Sequence, residues 1–168
     1  MMLDFDYELL EHPEPYDPRY RFEIWSRIIV NVVENGKILK NLIDIKWDII
    51  VFLKYFVENK QFILTDAPLK GFEGGSIAEG IYNFHVAIMD VDIIDGGTID
   101  KILRSIYPYK VRHSFEFALE HTNVEDIFIG LFNDRMSVSV YRRHEKYNFY
   151  VSVDTFFSKI EKLFNILV

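Results

Sequence analysis

The stretch YRFEIWSRIIVNVVENGKILKNLI, Tyr20 to Ile43, decides the fold. Phe22, Ile24, Ile28, Val30 and Val32 fall on one side of a period-two pattern, and Arg21, Glu23, Trp25, Arg27 and Asn31 on the other. Strict alternation of this kind is the signature of a half-buried strand. Asn35–Gly36 then supplies two residues that tolerate positive φ, which a tight hairpin turn requires. Lys37 to Ile43 is therefore expected to return antiparallel.

Outward from this hairpin, helical and extended patterns follow one another. Asp44 can cap a helix over Ile45 to Glu58, whose Ile45, Ile49, Phe52 and Phe56 recur at helical spacing. Gln61 to Thr65 reads as a short strand before a glycine-rich loop, and SIAE at Ser76 to Glu79 has capping-box form for a short helix ending near Gly80 to Asn83. Phe84 to Ile94 looks extended but its pattern is ambiguous; Thr98 then caps a helix that Pro108 should stop. Val111, His113, Phe115, Phe117 and Leu119 alternate with polar neighbours, predicting a strand over 110–120. Ile127 to Phe132 is apolar on both faces, as in a central strand. Met136 to Arg142 and Tyr147 to Val153 form a second hairpin, and Asp154 can cap a closing amphipathic helix.

Upstream, Pro13, Pro15 and Pro18 forbid a continuing helix, so residues 1–18 read as an acidic, extended N-terminal arm. The expected architecture is a single α+β domain over 1–168, with a mostly antiparallel sheet made of the N-terminal hairpin and a C-terminal meander, and with helices at 45–58 and 155–167 on the sheet faces.

The composition narrows the class further. Fifteen Phe, ten Tyr and two Trp among 168 residues imply a core built largely from rings. The absence of cysteine removes disulfides, thiolate metal sites and thiol nucleophiles, and is compatible with a reducing compartment. The start, MMLDFDYELL, carries acids where a secretory signal carries bases, and the longest apolar run, Ile49 to Leu53, is far too short to span a bilayer. A cytoplasmic location without membrane insertion is expected. Residues 1–18 hold six acids and no base, and residues 61–100 seven acids and one base, so these two blocks carry more than the whole net charge of −7. That sign disfavours nucleic acid and favours a basic protein partner.

No motif on the chain completes a catalytic, cofactor or metal site. KGFEGGS, Lys70 to Ser76, lacks the Lys-Ser/Thr that must follow the last glycine of a phosphate loop. DVDIID presents Asp90, Asp92 and Asp95 but lacks the glycine and glutamate of a calcium loop, which leaves these acids as a candidate partner-binding surface. The five histidines show no zinc spacing, and His113 falls on an apolar face, as a core histidine would. Arg142, Arg143, His144 and Lys146 form a basic hairpin tip, read as a solubilising turn. Trp25 and Arg27 stand together on the polar face of their strand, and these two residue types dominate binding hot spots. The alternative for Trp25 is ordinary core beneath a covering helix.

Two stretches, NGKILKNLIDIKWDIIVFLKYFVENKQFIL and YKVRHSFEFALEHTNVEDIFIGLF, resemble small bacterial toxin-immunity proteins of the polymorphic-toxin and contact-dependent-inhibition kind. The resemblance implies a cytoplasmic, non-catalytic protein that binds and blocks one cognate toxin, and it assigns no residue. The charge pattern agrees in kind, because an acidic domain suits a basic partner such as a nuclease domain. The alternatives are a structural or regulatory interaction protein, and an enzyme whose site is assembled from scattered Asp, Glu, His and Tyr.

Overall fold

The computed structural model describes residues 1–68, 74–89, 96–120, 122–124, 126–142 and 144–168. Among them it shows an α+β fold of five α-helices and two three-stranded antiparallel sheets. The chain divides into two compact units: residues 1–60, 118–124 and 151–168 form the first, and residues 61–117 and 125–150 the second.

The first unit is built on the hairpin. β2 (Trp25–Glu34) and β3 (Lys37–Asp48) pair antiparallel across Asn35 and Gly36, whose φ values of 51° and 74° are those the turn demands. Two register shifts interrupt this ladder, between Val30 and Asn31 and between Val32 and Val33, and there the Asn41 side-chain amide donates to Asn31 Oδ1 at 2.9 Å. β3 runs further than expected and takes in Asp44 to Asp48. Asp44 therefore caps nothing; it lies opposite Ile29 and binds Arg27 across the strands.

β1 (Met2–Leu9) pairs antiparallel with β2, so the first half of the expected arm is instead an outer strand of the sheet. Leu3 and Phe5 enter the core, while Asp4, Asp6 and Glu8 alternate outward and carry the acidic charge. The prolines act only beyond it, where Pro18 opens a single 3-10 turn capped by Asp17.

α1 (Ile49–Thr65) follows β3 directly and continues through Gln61 to Thr65, where a strand was expected. Within the first unit its Phe52 and Phe56 meet Phe5 and Phe156 with ring centres 5.5 and 5.1 Å apart. Phe156 belongs to α5 (Asp154–Leu167), which buries Phe156, Phe157, Ile160 and Leu163 along one face. The position before it, Val153, makes no side-chain cap, and Asp154 sits in the first turn.

In the second unit, β4 (Ile127–Phe132), β5 (Arg135–Tyr141) and β6 (Lys146–Tyr150) form the meander in that order, so β5 is the central strand and β4 an outer one. α2 (Ile77–Met89) starts at Ser76, whose Oγ accepts from the Glu79 N–H at 3.1 Å, and runs past Gly80 into the segment read as extended. α3 (Gly96–His113) takes in Thr98 and passes through Pro108, and α4 (Phe115–Ala118) follows it. The strand expected over 110–120 is therefore helical over most of its length. Ile106, Tyr109 and His113, spaced three and four apart, are buried on one side of α3, and that burial outweighs the one hydrogen bond lost at proline. Ile77, Ala78, Ile81, Tyr109 and Phe128 form the buried centre of this unit.

Candidate functional site

The hairpin register builds a cleft at the strand ends farthest from the turn. Trp25 pairs with Asp48 and Ser26 with Trp47, so both tryptophans of the chain and one carboxylate gather there. The chain beyond β1 supplies the rest: Leu10 N–H donates to the Trp25 carbonyl at 2.9 Å, and the following residues bring His12, Tyr20 and Glu23 alongside. The resulting opening has a volume of about 300 Å³.

Its walls are aromatic. The Trp25 and Trp47 ring centres are 6.1 Å apart at 50°, His12 meets Trp25 edge-on at 5.3 Å, and His12 stacks on Tyr20 at 5.0 Å. Its polar groups are acidic. Glu14, Glu23 and Asp48 line it, and no lysine or arginine among the described residues does. Asp48 Oδ1 accepts from the backbone N–H of Ile50 at 3.0 Å and of Ile24 at 3.2 Å, which fixes the start of α1. Burial holds the Asp48 carboxyl above its ordinary value despite these two donors, and the Glu23 charge pushes the same way. His12 Nδ1 accepts from the Glu14 N–H at 2.9 Å, so in the neutral ring Nε2 carries the hydrogen that faces Glu23 Oε2 at 3.2 Å. Both ring nitrogens are thus engaged, one by a backbone N–H and the other by a carboxylate.

No known family, curated protein or solved structure matches this chain.

Of the residues singled out in the sequence, Trp25 stands in this cleft, half-buried. Arg27, two residues along the same strand, forms a two-pronged pair with Asp44 at 2.6 Å on each arm and is spent within the sheet. Asp90, Asp92 and Asp95 lie outside the described residues, as does most of KGFEGGS. At the basic hairpin tip, Arg142 faces Glu145 at 3.9 Å and Lys146 lies 4.1 Å from the centre of the Tyr141 ring. His12, Tyr20, Glu23, Trp47 and Asp48 were not singled out. The signal for Trp47 was present, because the two tryptophans are nearly equidistant from Asn35–Gly36.

The second unit holds another histidine–carboxylate arrangement. His113 is fully buried, stacks on Tyr109 at 3.9 Å, and presents Nδ1 to the Ile129 carbonyl at 2.9 Å. A carbonyl only accepts, so Nδ1 carries the proton. Nε2 then faces Asp66 Oδ2 at 3.5 Å without a hydrogen bond. Asp66 is held instead by Arg112 at 2.8 Å, whose guanidinium covers the Phe62 ring. Burial lowers the His113 pKa and raises the Tyr109 hydroxyl far above its ordinary value. The ring reaches this depth because Gly130 has no side chain: a Cβ there would sit 2.7 Å from His113 Nδ1. A general base must reach the proton it removes, and a ring with no exposed surface cannot. This is a structural histidine. Among the described residues, no group of three or more His, Asp or Glu side chains converges to hold a metal ion, and no helix is long and apolar enough to cross a membrane.

Proposed function

We propose that this chain is a non-catalytic protein-binding protein, an inhibitor of the toxin-immunity type that docks on a basic partner through the face bearing the Trp25 cleft. The observation that carries the reading is the pairing of open aromatic walls with three acids, and among the described residues no lysine or arginine, around one cleft of about 300 Å³. Tryptophan and tyrosine in partly buried pockets are the usual anchors of protein interfaces, and a net charge of −7 steers a basic partner toward such a face. The sealed position of His113 supports the non-catalytic half of the reading. A cytoplasmic setting belongs to the same proposal, and the cysteine-free composition is compatible with it.

The test is co-expression with the product of the adjacent gene. That product should arrest growth alone and be silenced by this chain, and Trp25→Ala should restore the arrest while the variant still accumulates folded. An adjacent product that is harmless alone, or that remains toxic beside this chain, overturns the immunity reading.

A further inference from the structure

We infer that the Trp25 cleft is a receptor for one cationic side chain, arginine in preference to lysine, presented by the partner. The inference rests on the docking role proposed above and names the chemistry that enters. Three observations carry it. The walls are π faces, with Trp25 and Trp47 lining the opening, and the face of an indole ring attracts a cation, as the neighbouring Tyr20 ring already does with the Arg19 guanidinium 5.2 Å from its centre. The electrostatics favour a cation: Glu14 and Glu23 line the cleft beside Asp48, and burial together with repulsion from the Glu23 charge raises the Asp48 carboxyl, which two backbone N–H donors and His12 offset only in part. An entering cation relieves that repulsion, whereas an anion or a neutral group does not. The third observation is size. About 300 Å³ admits a guanidinium and its stem, yet ring centres 6.1 Å apart and tilted by 50° leave a wedge rather than a slot for a second ring between them.

Arginine fits this wedge better than lysine for a geometric reason. Its planar head can lie on an indole face and still direct N–H groups edgewise to a carboxylate, while an ammonium gives up one contact to make the other. Asp48 Oδ1 is committed to Ile24 and Ile50 and Glu23 Oε2 to His12, which leaves the second oxygen of each carboxylate to accept.

Both tryptophans of the chain line the cleft, so the intrinsic indole fluorescence of the intact protein reports this site and needs no partner. The probe is N-acetyl-arginine amide, compared with the lysine amide and with the citrulline amide, which keeps the shape of arginine without its charge. The expected result is a saturable change with half-saturation on the order of millimolar for arginine, about threefold weaker for lysine, and none for citrulline. Glu23→Gln should weaken the arginine response by about three- to tenfold, with an unchanged circular dichroism spectrum. Asp48→Asn, which keeps the oxygen that caps α1, should weaken it similarly. An equal response to citrulline, or no response to any of the three, overturns the inference. Its failure is separable from that of the function: protection lost in Trp25→Ala without an arginine response would leave the docking face in place and remove only the cation.

Discussion

His12 and His113 are given nearly the same surroundings, and only one of them stands where a ligand can come. Each stacks on a tyrosine ring, at 5.0 Å for Tyr20 and 3.9 Å for Tyr109. Each faces a carboxylate, Glu23 at 3.2 Å and Asp66 at 3.5 Å. In the first unit the carboxylate accepts the imidazole hydrogen and the ring keeps 14% of its side-chain surface. In the second the imidazole hydrogen goes to a backbone carbonyl, the carboxylate goes to Arg112, and the ring keeps none. Residue types alone do not distinguish a site from a strut; the direction of each proton and the access to solvent do.

The largest effect should come from breaking the buried arrangement at its closest approach. Gly130→Ala puts a methyl against His113 Nδ1, in a ring held by the Ile129 carbonyl and the Tyr109 stack, and within 3.3 Å of Ile77 Cδ1. We expect a loss of about 2–3 kcal/mol in urea unfolding, and no change in the arginine response of the cleft. A smaller loss follows from Asp66→Asn, which leaves Arg112 facing a neutral amide. Both partners keep more than a quarter of their side-chain surface, so solvent screening limits the cost to about 1–2 kcal/mol. Glu23→Gln, its counterpart in the cleft, should move stability by less than about 0.5 kcal/mol and act on binding instead. If the two substitutions exchanged these effects, the assignment of strut and site would be reversed.

The pH dependence of stability sharpens the same contrast, with opposite signs at the two places. Burial lowers the His113 pKa, so between its folded value and the ordinary 6.5 the unfolded chain binds more protons. Stability contributed there is complete above 6.5 and is lost as pH falls toward the folded value. A His113→Gln variant should lack that slope. Burial raises the Asp48 pKa, so between the ordinary 3.8 and the folded value the native chain binds more protons, and stability falls as pH rises through that window. Asp48→Asn removes this second, smaller term. Paired urea titrations of each variant and the parent across these ranges measure both signs.

Much of the fold was legible because the patterns were local. Asn35–Gly36 sets its hairpin whatever lies elsewhere, and Phe156, Phe157, Ile160 and Leu163 can line up only on a helix. The errors arose where two periods fit the same letters. Val111, His113, Phe115, Phe117 and Leu119 satisfy a period of two, but Ile106, Tyr109 and His113 satisfy the helical one, and burial chose the second. In β1, Leu3, Asp4, Phe5, Asp6 and Tyr7 alternate as strictly as any stretch of the chain; the prolines that follow were allowed to speak for residues they do not touch. Of the cleft, Trp25 stood out by type alone. Its companions are spread from His12 to Asp48, and the pairing of three strands, which no local pattern encodes, is what assembles them.

The asparagine bridge between β2 and β3 reaches beyond stability. Asn41 and Asn31 join side chains where the ladder shifts by one, so the count of residues on each arm of the hairpin is matched to that offset. Inserting or deleting a single residue on either arm would turn one tryptophan to the opposite face of the sheet. Descent with modification can therefore exchange residue types along these strands far more freely than it can change their length. Among chains that share this cleft, the spacing from Trp25 to Trp47 should drift less than the residues that fill it.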